Sequence, residues 1–234
     1  MTQTQPPKDA LMAAILPHVI FDGWSESSFQ MAVADAGLDP VVAHASCPRG
    51  AVDLAVAFHK QGDALMLERF AAADMSETRY RDKISALVRM RLEVNDDKEI
   101  VRKASALFAL PKYAAEGAKL IWETCDVMWN VLGDTSDDIN WYTKRATLSG
   151  VYGSSVLFWL GDESAENADT WEFLERRIEN VMQIEKIKAG VRGNPVLKGL
   201  FAAPLWAMSQ VKAPKAAPMK DVPGRWDMDK ETVK

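Results

Sequence analysis

The side chains first in line for chemistry in this sequence are three histidines, two cysteines and a few adjacent acids, and their spacing gives them no common task. His18, His44 and His59 stand far apart, each among apolar neighbours. No Glu lies three residues before any of them, so the Glu-x-x-His pattern of a di-iron bundle is missing. No H-E-x-x-H, G-x-S-x-G, phosphate-binding loop or G-x-G-x-x-G motif occurs. Cys125 falls on an apolar helix face, where a thiol acts as a small hydrophobe before it acts as a nucleophile. Asp96–Asp97 and Asp162–Glu163 sit at expected helix ends, where carboxylates cap and solvate. The expectation is a protein that is not an enzyme and uses neither metal nor cofactor.

The residues with more to offer are aromatic. The stretch from Ser136 to Gly161 carries one helical stripe of Trp141, Arg145, Leu148, Tyr152, Ser155 and Trp159, at alternating spacings of four and three. A second stripe, Tyr142, Ala146, Ser149, Gly150, Gly153 and Leu157, is small through its middle. A helix with two such faces belongs inside a protein, and its small residues let a neighbour or a ligand approach the backbone. Together with the preceding helix it supplies Trp122, Cys125, Trp129, Leu148, Tyr152 and Trp159, more apolar bulk than two helix seams need. These six are expected to line a cavity. Trp141, Tyr142 and Arg145, within about one turn, have the chemistry of a binding hot spot at its mouth.

Around this stretch the periodicity predicts an all-α chain. Residues 8–21, 28–36 and a short piece after Pro40 form three helices, the second capped by Ser25 or Ser27. Helices follow over 49–74, with a bend at Gly62, then 76–94, 97–110, 112–132, 136–161 with Ser136 as cap, and 167–189. Gly190–Pro195 reads as a hinge before an amphipathic segment at 196–208, where Leu197, Lys198, Leu200, Phe201, Leu205, Trp206 and Met208 suit a membrane surface. The organisation expected is a flexible 1–7, a module at 8–48, a core at 49–190, a hinge and membrane helix at 191–208 and a disordered tail at 209–234.

Composition narrows the function. No apolar run reaches the roughly 20 residues of a membrane span, and the net charge is −5. Two cysteines make no disulfide framework and suit a reducing compartment. With no signal or transit pattern at its start, the chain is read as cytoplasmic and peripheral on the inner face of the membrane. The first three helices have the order and lengths of a helix-turn-helix and resemble those of TetR-type repressors, yet from Asp9 to Pro48 there is no Lys or Arg against five acids. Phosphate contacts supply most non-specific affinity for DNA, and the candidate recognition helix offers only His44 and Ser46.

At Asp137-Asp138-Ile139-Asn140-Trp141-Tyr142-Thr143-Lys144-Arg145 the sequence resembles the ubiquinone-biosynthesis lipid-binding family, the ninth Coq protein. The resemblance continues through Leu148, Val151 and Tyr152, then Asp169-Thr170-Trp171 with Phe173-Leu174-Glu175-Arg176-Arg177, and ends in Gly199-Leu200-Phe201-Ala202-Ala203. It implies a TetR-like homodimer that does not regulate transcription. Such a protein binds an isoprenoid lipid or ubiquinone precursor in an internal pocket and assists a ubiquinone-biosynthesis hydroxylase. It also implies that Met128, Trp141 and Tyr142 face that partner. Eukaryotic members carry a mitochondrial leader that this chain lacks, which reads as a bacterial cytoplasmic form. The competing reading is a TetR-like, ligand-responsive transcriptional regulator.

The charge pattern separates the two. An electrophoretic shift at low salt is expected to show no complex even with non-specific duplex. Salt-sensitive binding that disappears on deleting residues 1–48 would restore the regulator.

Overall fold

The computed structural model describes residues 6–95, 97–193 and 212–214, and among them every regular element is helical. In chain order these are α1 (Pro7–Asp22), α2 (Glu26–Asp35), α3 (Pro40–Ser46), α4 (Ala51–Ala72), α5 (Tyr80–Glu93), α6 (Lys98–Ala109), α7 (Ala114–Val131), α8 (Ile139–Gly161) and α9 (Ala168–Gly193), with one 3-10 turn at Ala165–Asn167. The expected terminal helix at 196–208, with Leu197, Lys198, Leu200, Phe201, Leu205, Trp206 and Met208, lies outside the described residues.

Local chemistry sets the helix starts. Ser25 accepts the Ser28 amide at 3.1 Å, Asp39 the Val41 amide at 2.7 Å, and Asp97 the Glu99 amide at 2.7 Å, each satisfying an amide the helix itself leaves free. Two starts fall three or more residues later than the sequence suggests. Ser76 turns its hydroxyl back onto Asp74 at 2.8 Å, so α5 waits until Tyr80. Ser136 is likewise held by Asp134 at 2.8 Å, and Asp138 caps α8 by accepting the Asn140 amide at 2.8 Å.

Two apolar cores result. The first gathers Leu11, Ile15 and Val19 of α1, Phe29 of α2 and Ala43 of α3, and it continues into Leu54 and Ala55 of α4 and Ile100 of α6. Gly50 makes the joint: it takes φ +58° and lies where a Cβ would meet Glu26 and the Phe29 ring at 3.1–3.4 Å. The second core joins Met66, Leu87, Leu92, Met128, Tyr152, Trp159 and Leu174 from α4, α5, α7, α8 and α9. Each large side chain buried in these cores stabilises the fold by about 1.5–3 kcal/mol.

A polar clamp runs through the second core. Arg91 of α5, only 3% exposed, donates from Nε to Asp63 of α4 at 2.6 Å and from Nη2 to the His59 carbonyl at 2.9 Å. Thr124 of α7 donates to the same Asp63 at 2.9 Å and contacts His59 Nε2 at 2.8 Å. The residue that admits the guanidinium is Gly62, where a Cβ would lie 2.6–2.9 Å from three of its atoms. The expected bend at Gly62 does not occur: α4 runs unbroken, and the glycine is there to let Arg91 lie against the helix backbone. Removing one partner of such a buried pair typically costs about 3–5 kcal/mol.

Burial and the neighbouring Arg91 push the His59 imidazole down to about 3, so it is neutral in the folded protein. An unfolded histidine titrates near 6.5. The stability this neutral ring contributes is therefore complete above about pH 6.5 and is lost as pH falls toward 3. Denaturant melts between pH 4 and 6.5 should show a loss on acidification that His59→Gln removes, at most about 1.4 kcal/mol per pH unit. Parallel pH profiles for the two proteins would show that His59 is not buried as the structure has it.

Candidate functional site

A cavity of about 380 Å³ opens among α4, α5, α6, α7 and α8. Its walls are apolar: Phe58, Val101 and Phe108 on one side, Leu120, Ile121 and Val156 on the other. Gly117 brings α7 against α6 here, since a Cβ would stand 2.7 Å from that of Phe108. The polar groups sit deep. Arg91 and Tyr152 line the cavity while only 3% exposed, with His59 beside them. The rim, in contrast, is formed by exposed Ala109, Ala118 and Leu157, the last 69% exposed.

The electrostatics of the deep end are close to neutral. Burial pushes the Asp63 carboxyl up, while Arg91 beside it pulls it back, and Arg91 remains a cation. The Tyr152 phenol, fully enclosed, is pushed up to about 12. The Thr124 hydroxyl has one proton, which it gives to Asp63, with the Leu120 carbonyl also 3.1 Å away. By this hydrogen-bond assignment His59 Nε2 is the donor to Thr124.

The six residues expected to share one cavity are distributed by the structure. Tyr152 lines the large cavity. Trp129 and Leu148 line a smaller one of about 250 Å³, with Ile84, Ile178 and Val181. Cys125 and Trp159 are core, at 0% and 3% exposure, and burial pushes the Cys125 thiol up to about 12. Trp122 turns away to join an aromatic cluster, its ring centroid 5.9 Å from Trp141 and 6.5 Å from Tyr142. Trp122 and Trp129, seven positions apart, lie on nearly the same side of α7 but about 10 Å apart along its axis, so they meet different neighbours.

The expected partner patch is corrected in the same way. Trp141 and Tyr142 are half-buried and meet edge to face at 4.8 Å. Met128 is fully buried in the core. Arg145 is 1% exposed and is not a surface cation, because four acceptors converge on it. It donates to Asp126 at 2.5 Å, Asp134 and the Trp141 carbonyl at 3.0 and 3.1 Å, and Asn130 at 3.2 Å. Burial opposes the ionisation of Asp134, yet hydrogen bonds from Lys144, Ser136 and Arg145 bring its carboxyl down to about 2. Arg145 thus positions Trp141, whose ring centre lies 4.1 Å from the guanidinium carbon. Against this patch lies residue stretch 212–214: the Ala213 amide donates to the Asp137 carbonyl at 2.8 Å and the Tyr142 hydroxyl to the Lys212 carbonyl at 3.4 Å.

The deep polar groups His59, Arg91, Asp63 and Thr124 were not singled out from sequence. One signal was available for the α6 wall: Val101, Ala104, Ser105 and Phe108 recur at helical spacing on one side of a short helix. The clamp gave less to find, since Asp63 and Arg91 are 28 residues apart and look like ordinary surface charges.

Residues 114–185, which hold α7, α8 and the start of α9, match the COQ9 family model. The chain is 36% identical over 125 residues to the mitochondrial ubiquinone biosynthesis protein COQ9-B of Xenopus laevis, covering 53% of this chain and 42% of that one. It is 29% identical over 188 residues to the Drosophila melanogaster COQ9 protein, covering 78% and 57%, and 27% identical over 210 residues to the human one, covering 76% and 66%. The chain thus spans about two fifths of the length of the Xenopus relative. A crystal structure of a TetR transcriptional regulator from Nitrosomonas europaea superposes with a TM-score of 0.62 at 16% identity, over 74% of this chain and 97% of that one. Its likeness is one of fold. The family match lies on the helices that carry Tyr152 and the aromatic patch, so residues 114–185 hold a COQ9-like region, and the chain is built on a TetR-like helical fold.

Proposed function

We propose that this protein acts in ubiquinone biosynthesis as a non-enzymatic accessory factor. It binds an isoprenoid lipid or quinone precursor in the large cavity and presents it to a hydroxylase at the membrane. The observation that carries this reading is the cavity itself, apolar along its walls, with a few buried polar groups and an apolar rim. Such walls take hydrocarbon out of water, and the sparse polar groups orient it. A polyprenylated ring is hardly soluble, so a protein that carries it needs both an enclosed site and a docking surface. Ile121 lines the cavity while its neighbour Trp122 stands in the aromatic cluster with Trp141 and Tyr142. One helix therefore connects the cavity to the surface offered to the hydroxylase.

Two further parts belong to the same proposal. On α8, Ala146, Gly150 and Leu157 are exposed, and nothing lies within 4 Å of where a Gly150 Cβ would be. A second copy packing on this face would give the homodimer. The route to the membrane rests on sequence: from Lys186 to Lys220 there are seven basic residues and no acid, around the apolar positions of 196–208. Each cation near an anionic surface contributes about 1 kcal/mol, which suits a reversible peripheral contact. No described helix is long and apolar enough to cross a membrane.

Organic extracts of the purified protein, analysed by mass spectrometry, should contain an isoprenoid lipid. Gly153 lines the cavity, and a Cβ there would meet only Ile121 Cδ1, at 3.9 Å. Gly153→Phe should therefore fill the space, abolish the recovered lipid and leave the melting temperature unchanged or raised, since glycine weakens a helix by about 0.5–1 kcal/mol. Undiminished lipid in the variant would place the lipid elsewhere. For the partner surface, Tyr142→Lys should weaken association with the hydroxylase at least tenfold, as loss of a hot-spot aromatic does, with helicity and melting temperature nearly unchanged. Full association by a folded variant would remove the patch from the mechanism.

A further inference from the structure

The aromatic patch at the start of α8 already carries a piece of this chain. Residues 212–214 lie on Asp137 and Tyr142, about 70 residues away in sequence. We propose that this segment is an intramolecular strap, which covers the Tyr142 edge of the patch and must be displaced by any partner that docks there. The proposal rests on the docking reading above and adds the regulation of that surface.

The grip is on the main chain. The Lys212 carbonyl and the Ala213 amide belong to one planar trans peptide unit, so they point in opposite directions. The amide donates to the Asp137 carbonyl at 2.8 Å, and the carbonyl accepts from the Tyr142 hydroxyl at 3.4 Å. A single peptide unit therefore bridges the loop before α8 and the Tyr142 side chain. Asp137 precedes the capping residue Asp138, so its carbonyl lies outside the α8 ladder and is open to a donor from elsewhere. The next residue, Pro214, keeps Ala213 extended and has no amide of its own to satisfy. A segment restricted in this way loses less freedom when it docks. Ala213 is half-buried while Lys212 and Pro214 are exposed, so the small residue seats and the cation stays in water.

Position makes the strap a competitor. Tyr142 stands edge to face with Trp141 at 4.8 Å and lies 6.5 Å from Trp122. A partner that packs on these rings has to reach the edge where Lys212 and Ala213 lie. Strength makes the strap releasable. A hydrogen bond at the surface contributes little net stability, and the contact to the Lys212 carbonyl is long. Such a segment closes the surface in a fraction of the molecules and lowers a partner's apparent affinity by that fraction. A partner that fills the aromatic patch then replaces it.

Two measurements on the full chain test this. Hydrogen exchange read by NMR should show the Ala213 amide exchanging at least about threefold more slowly than in a free peptide of residues 209–217. Titration with the hydroxylase then reads the competition. Ala213→Pro deletes the amide that bonds Asp137, in a segment without regular structure. It should bind the hydroxylase roughly two- to tenfold more tightly than the wild type, with an unchanged melting temperature. Ala213→Ser, which keeps the amide, should bind as the wild type does. If the Ala213 amide exchanges as fast as in the free peptide, or if Ala213→Pro binds no more tightly than Ala213→Ser, nothing guards the patch. The proposal then fails, while docking on the patch stands as long as Tyr142→Lys weakens association. If neither the wild type nor Ala213→Pro binds the hydroxylase, the docking reading falls and the competition with it.

Discussion

The guanidinium of Arg91, laid across Gly62 and held by Asp63, is the contact on which the inner architecture depends. It brings α4 and α5 to a distance that no residue larger than glycine would permit. Through Asp63 and Thr124 it then reaches α7. A charge in this position has to be fully satisfied, because a buried cation without its partner costs far more than the pair contributes. The three helices are consequently held in one register. The space they leave between themselves, α6 and α8 is the cavity, with the clamp as its floor. Hydrophobic packing supplies most of the stability, but it would also tolerate a slightly collapsed core. The polar clamp does not.

A second ion-pair system performs the same service for the surface. Arg145, at 1% exposure, ties Asp126 and Asn130 of α7 and Asp134 of the connecting loop to α8. By fixing the first turns of α8 it sets the orientation of Trp141 and, through it, of the cluster with Trp122 and Tyr142. Lys144 joins in by reaching Asp134 at 2.6 Å and standing 5.3 Å from the Trp129 ring centre. The two arginines thus divide the work, one holding the interior open and the other holding an aromatic surface in shape. The TetR-like fold accommodates both because its first module, with its own apolar core, carries none of the chemistry at this end of the molecule.

Much of the fold was legible in the sequence because the helices are punctuated by residues with strong local preferences. Ser25, Pro40 and Asp97 marked starts that the structure keeps, and the spacing from Trp141 to Trp159 described α8. The errors at Ser76 and Ser136 share a cause. Each is preceded by an aspartate two residues earlier, and the side chain closes a turn with that aspartate before it can cap a helix. The site was harder to read. Spacing along one helix tells which residues share a face, not which neighbour that face meets, so Trp122, Trp129 and Tyr152 were grouped although they serve three different surfaces. Arg145 in a helical stripe looks the same whether it faces water or four buried acceptors. Arg91 and Asp63 were invisible as a pair, since a contact between distant helices leaves no local trace.

Photo-crosslinking with a prenylated phenol carrying a diazirine on its ring, followed by peptide mapping of the adduct, addresses the central claim most directly. Labels on the cavity walls, on peptides that contain His59, Arg91 or Tyr152, are the predicted result. Labels confined to residues 1–48, or to the smaller cavity around Trp129 and Val181, would contradict it.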